Sequence, residues 1–137
     1  MDQTGSEVPD AAAADAYSQI VIGVAEQLTP RVAALRVRRS EAGRAGEAAG
    51  SAVVLTRDGH LLTNAHVVAG VREPNIDLDG QRLKAKVVVF DPNLDVAVLA
   101  VNNLNRTALA FDRTGERGQS GVILGYPQNG PFDARAA

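Results

Sequence analysis

The sequence predicts an all-β protein, a six-stranded antiparallel β-barrel preceded by one helix, and three observations point there. Short apolar runs recur between turn residues, with Asp58-Gly59 and again Asp79-Gly80, the dipeptide most typical of a tight hairpin turn. The spacing of apolar residues shifts at Pro30 from three-and-four to two, the change from a helical to an extended period. About six such extended runs fall before Asn102, enough for one small barrel.

In chain order, residues 1–10 are polar, contain Pro9 and are expected to form a flexible segment. From Ala11 to Pro30, Tyr17, Ile20, Val21, Val24 and Leu28 fall on one helical face that Thr29-Pro30 ends, which predicts a docking helix closing one end of the domain. Arg31 to Arg39 then alternates as a strand, with Ala33, Leu35 and Val37 on one side. Glu41 to Gly50 is rich in small residues and is expected to be a loop. Ser51–Thr56 and His60–Asn64 form a hairpin around Asp58-Gly59, and Asn75–Leu78 with Arg82–Phe90 forms another around Asp79-Gly80. Leu94–Val101 supplies a further strand after the turn Asp91-Pro92-Asn93. Beyond it, Asn102–Gln119 is polar and irregular, Ser120–Tyr126 reads as a last strand without a partner, Pro127–Pro131 as a turn, and Phe132–Ala137 has no period.

Composition removes several classes of function. With 137 residues, 45% of them hydrophobic, the chain can bury one ordinary core. A formal net charge of -2 gives no field that would draw nucleic acid or an anionic membrane. Without cysteine there is no disulfide, thiolate nucleophile or Cys-ligated zinc, and two histidines with scattered carboxylates show no ligand-like spacing, so no metal or cofactor is expected. No apolar stretch approaches the roughly 20 residues of a membrane span.

The chemistry concentrates in two places. Leu61-Leu62-Thr63-Asn64-Ala65-His66-Val67-Val68 brings a histidine to the end of an apolar strand, where the following small residues suggest a short helical turn. Asp91-Pro92-Asn93-Leu94-Asp95-Val96-Ala97-Val98-Leu99 places a carboxylate at the mouth of a second one. Acyl transfer needs a base near neutral pH, which an imidazole supplies, and a carboxylate fixes its tautomer. Considered alone, His66 fits a solvated or satisfied histidine better than a catalyst, and Asp95 could be a turn residue. His60, next to a turn, is expected to point into solvent and has no assigned role.

Taken together, Gly50-Ser51-Ala52-Val53-Val54, the run Asp58 to Val68, Asp79-Gly80, Ala85-Lys86-Val87-Val88, the run Asp91 to Leu99 and Leu124-Gly125-Tyr126-Pro127 resemble, in order and spacing, the trypsin-like serine proteases, and in particular their HtrA branch. The likeness covers Ala16 to Pro127, and its helical N-terminus is most similar to membrane-anchored periplasmic members of actinobacteria associated with acid resistance. The resemblance implies a chymotrypsin-like double barrel whose first barrel spans residues 31–117 and whose second begins, truncated, at 118–137. It further implies catalytic roles for His66 as base and Asp95 as orienting acid, with the backbone amides of Ala65 and His66 holding the carboxylate. Location would be extracytoplasmic, with membrane anchoring only through a segment absent from these residues.

The family's Gly-Asn/Asp-Ser-Gly-Gly nucleophile motif is missing. Gly118-Gln119-Ser120-Gly121 imitates it, but Val122 stands in place of the second glycine and too few residues separate Ser120 from Asp95 to hold a second barrel, so Ser120 reads as a turn residue. The expected function is the N-terminal part of a serine endopeptidase acting on peptide or protein substrates, inactive until a complementary C-terminal half supplies the serine. The alternative is a non-catalytic extracytoplasmic β-barrel that binds peptide or protein.

Overall fold

A computed structural model describes residues 3–41, 44–111, 115–126 and 133–136. Helix α1 (Gln3–Leu28) leads through a 3-10 turn at Thr29–Arg31 into strands β1 (Val32–Glu41), β2 (Arg44–Val54) and β3 (His60–Thr63). The short helix α2 (Ala65–Val68) follows, then β4 (Asn75–Leu78), β5 (Gln81–Lys84), β6 (Lys86–Asp91) and β7 (Val96–Ala100). Further along come β8 (Val122–Gly125) and β9 (Asp133–Ala136).

The first seven strands form one antiparallel sheet in the order β5-β4-β1-β2-β3-β7-β6. The count is seven rather than six because the run expected as one strand over Arg82–Phe90 breaks at Ala85. There the Ala85 N–H donates to Pro74 O at 2.9 Å and the Val87 N–H to Arg72 O at 2.8 Å, both in register with the β4–β5 pairing, while from Lys86 on the chain also pairs with β7. On one side of the break the chain pairs with β4, on the other with β7. The two outer strands of the sheet are thus halves of one bent segment, and the sheet curls into a barrel.

Alternation supplies the core. Leu61 and Thr63 on β3 and Ala97 and Leu99 on β7 point inward, their neighbours less so. Together with Leu35, Val37, Val54, Ile76 and Leu78 they fill the interior. Burying one such leucine stabilises the fold by about 2 kcal/mol through area removed from water alone. The Asp-Gly turns behave as their sequence demands: Asp79 and Gly80 both take positive φ, 50° and 82°, the pattern of a two-residue hairpin loop. At Gly59, φ 113°, a Cβ would lie 2.1 Å from Val101 O, so only glycine fits.

Three further expectations are corrected. Residues 44–50, expected within a loop, are strand: β1 and β2 are paired from Val32↔Val53 to Glu41↔Arg44. Alanine and glycine have little strand preference of their own, and pairing with β1 overrides it. The terminal strand does have a partner, since β8 and β9 form a two-stranded antiparallel sheet. Helix α1 starts at Gln3 and not Ala11, so Pro9, which lacks the N–H of an interior helical bond, lies within it. Its expected docking face is covered only toward the C-terminal end, where Val21, Val24 and Leu28 are half-buried near β8 and β9, whereas Tyr17 and Ile20 are 51% and 62% exposed. The turn expected at residues 127–131 lies outside the described residues.

Candidate active site

His66 and Asp95 lie 29 residues apart in sequence and meet at one end of the barrel. The meeting is a consequence of the β3–β7 ladder. Its last pair is Thr63↔Ala97, so the residues just beyond it, on both chains, emerge side by side. On the β3 side the backbone turns into α2, which carries His66. On the β7 side, Asp91 Oδ1 accepts the N–H groups of Asn93 and Leu94 at 3.0 and 3.1 Å, tightening a turn that delivers Asp95 in the left-handed conformation, φ 55°.

The ring Nδ1 of His66 lies 2.8 Å from Asp95 Oδ2 and 3.0 Å from Oδ1, and the His66 backbone N–H donates to Oδ1 at 2.8 Å. These contacts hold the Asp95 carboxyl below the usual carboxylate range: first the His66 backbone N–H, then the ring, against an opposing effect of burial, with Asn64 adding to the lowering. An ionised carboxylate accepts only, so Nδ1 carries the proton and Nε2 is the basic nitrogen. The His66 side chain is 71% exposed and that of Asp95 42%. The pair therefore faces outward from the barrel.

Of the two amides expected to hold the carboxylate, that of His66 does so. The second donor is a side chain: Asn64 Nδ2 donates to Asp95 O at 3.2 Å and to Oδ2 at 3.3 Å. Sequence reasoning assigned Asn64 no role, although its place directly before the histidine-bearing turn was the available signal. Gly50 was also passed over. A Cβ there would stand 2.9 Å from Val67 Cγ2, so the bare backbone lets α2 settle on β2. Thr63, buried, donates to Ser51 O at 2.8 Å, and Ser51 Oγ accepts the Tyr126 N–H at 2.8 Å, fastening the segment after β8 to the barrel.

His60 does not simply point into solvent. Its Nδ1 lies 3.0 Å from Asp58 Oδ1 and 3.0 Å from Thr56 Oγ1, and Thr56 Oγ1 also donates to Asp58. The Thr56 hydroxyl and the His60 ring hold the Asp58 carboxyl low. This cluster closes the β2–β3 turn, at the opposite end of β3 from His66. Ser120 is exposed, in a stretch before β8 without helix or strand. Among the described residues no three His, Cys, Asp or Glu side chains gather as a metal site would require.

Residues 50–137, which carry this pair, match the trypsin-like peptidase domain. The chain belongs to that family. Within it the likeness is to HtrA-type enzymes. The serine protease Rv3671c of Mycobacterium tuberculosis is 39% identical over 89 residues, covering 64% of this chain and 22% of that protein. The crystal structure of its active form superposes with a TM-score of 0.70 at 35% identity, covering 81% of this chain and 48% of that one. The HtrA-type protease AlgW with tripeptide gives a TM-score of 0.70 at 30% identity, covering 82% and 36%. A probable periplasmic DegP-like serine endoprotease of Halomonas elongata is 41% identical over 81 residues, covering 57% and 17%. The chain thus spans about half of the solved Rv3671c protease and about a fifth of the curated relatives.

Proposed function

We propose that this chain is the base-bearing N-terminal part of a trypsin-like serine endopeptidase, with His66 as general base and Asp95 as the acid that orients it, and with the nucleophilic serine contributed by a complementary C-terminal half. The observation that carries the reading is the Asp95 carboxylate, bonded at once to the His66 ring and to the His66 backbone. That arrangement fixes ring orientation and tautomer together, which a base needs and a merely satisfied surface histidine does not.

In the assembled enzyme Nε2 of His66 takes the proton of the serine hydroxyl as its oxygen attacks the peptide carbonyl, then returns that proton to the departing amine. Asp95 stays ionised throughout and stabilises the imidazolium. Ser120 takes no part. The substrate is a peptide or protein, read by a pocket on the complementary half. The periplasmic designation of the DegP-like relatives supports action outside the cytoplasm.

The test is to express the chain with the continuation of its reading frame past Ala137 and follow peptide hydrolysis. His66→Ala is expected to lower kcat by several orders of magnitude while the fold persists, with Asp95→Asn costing on the order of 10⁴-fold. Full activity in His66→Ala would end the assignment.

A further inference from the structure

Asn64 contacts the Asp95 member of the pair, and its side chain is turned against its normal preference. Asn64 occupies the N-cap of α2, where an asparagine oxygen ordinarily accepts an N–H of the helix's first turn. Here it makes no such bond. The second N–H of the turn, that of His66, goes instead to Asp95 Oδ1 at 2.8 Å. Asp95 has taken over the cap, and the asparagine presents its donor end: Nδ2 reaches Asp95 O at 3.2 Å and Oδ2 at 3.3 Å.

We propose that Asn64 is a positioning residue, an amide clamp that fixes both the backbone and the carboxylate plane of Asp95 and thereby the tautomer of His66; this rests on the base-and-acid reading of the pair. Two features make the clamp useful. Asp95 sits at φ 55°, a region disfavoured for residues with a Cβ, and the bond to its carbonyl oxygen ties that peptide to the end of β3. Its side chain is half-exposed, so water competes for the carboxylate and would let it swing about its last torsion. With Oδ1 held by the His66 amide and Oδ2 by Asn64, both oxygens have fixed donors besides the ring, and Nδ1 finds its acceptor already placed.

The side chain's chemistry separates this role from simple capping. Aspartate is as good an N-cap as asparagine and has nearly its shape, but it offers only acceptors. A capping role predicts that Asn64→Asp is silent. The clamp predicts two carboxylates facing each other and a loosened pair. The test reads the His66 tautomer near neutral pH by nitrogen NMR in the wild-type chain, Asn64→Asp, Asn64→Ala and Asp95→Asn, with core amide shifts reporting the fold. Losing the clamp is expected to reduce the ratio of Nδ1–H to Nε2–H tautomer about tenfold in Asn64→Asp and severalfold in Asn64→Ala, the scale of one charge-assisted hydrogen bond. Asn64→Ala introduces no new charge and serves if Asn64→Asp does not fold. Ratios within about twofold of wild type in the folded Asn64 variants, beside a collapsed ratio in Asp95→Asn, overturn the clamp alone. An unchanged ratio in Asp95→Asn overturns the pairing of His66 with Asp95 and the clamp with it.

Discussion

The tightest packing at the base of the site gives its most quantitative prediction. Gly50 lies on β2 opposite Leu35, and a methyl group there would stand 2.9 Å from Val67 Cγ2 and 3.2 Å from Cγ1. Ordinary carbon contacts begin near 3.5 Å, so about half an ångström must be found. Val67 cannot easily yield it. It is 4% exposed, and as a β-branched residue in a helical turn it has essentially one rotamer. The shift falls on α2, and His66 is the adjacent residue. Gly50→Ala is expected to cost about 1–3 kcal/mol by overpacking, less the roughly 0.5–1 kcal/mol that alanine gains over glycine in a strand. Val67→Ala alone removes buried methyl groups and should cost about 2 kcal/mol. In the double variant the new methyl occupies the vacated space, so the combined loss should fall about 1–2 kcal/mol short of the sum. Urea denaturation of the four proteins closes the cycle. Additivity within about 0.5 kcal/mol would show that Gly50 and Val67 do not share this space and refute the reasoning.

Three other outcomes follow from single observations. Because Asp95 is held below the usual aspartate range in the folded chain, the unfolded chain binds more protons around pH 4; its contribution is complete above that range and is lost as the pH falls through Asp95's own lower value. Urea midpoints of wild type and Asp95→Asn should therefore differ at neutral pH and converge on the acid side, and a gap that persists or widens toward low pH would contradict the sign. Ser51→Ala removes the acceptor of the Tyr126 N–H, so hydrogen exchange at that amide should quicken several- to tenfold, the scale of about 1 kcal/mol, while core amides of β3 and β7 hold. Gly23 lies inside α1 with open space where a Cβ would stand, and Gly23→Ala should raise helix stability by about 1 kcal/mol, seen as a higher melting temperature.

Much of the barrel was legible because its signals are local. Asp-Gly turns impose positive φ, and alternation in Leu61 to Thr63 and Ala97 to Leu99 follows from one buried face. What escaped was set by partners distant in sequence. Residues 44–50 are strand only because β1 lies beside them. The bend at Ala85 leaves no mark because the alternation Leu83, Ala85, Val87 continues through it, and β9 is a strand through its pairing with β8. At the site, residue type alone left His66 and Asp95 ambiguous; their positions, one just after an apolar strand and one just before another, placed them at the same end of the barrel. Asn64 could not be picked out, since an asparagine before a helical turn reads as a cap, and only the position of Asp95 reveals that its donor end is the one in use.

The central claim is that the His66–Asp95 pair is catalytic machinery awaiting a serine from elsewhere. A fluorophosphonate probe, which marks activated serines, tests it most directly on the chain alone and on the chain joined to the continuation of its reading frame. The account predicts no labelling of these 137 residues in isolation, and in the joined protein one labelled serine beyond Ala137 whose labelling is lost in His66→Ala. Labelling of Ser120 in the isolated chain would contradict it.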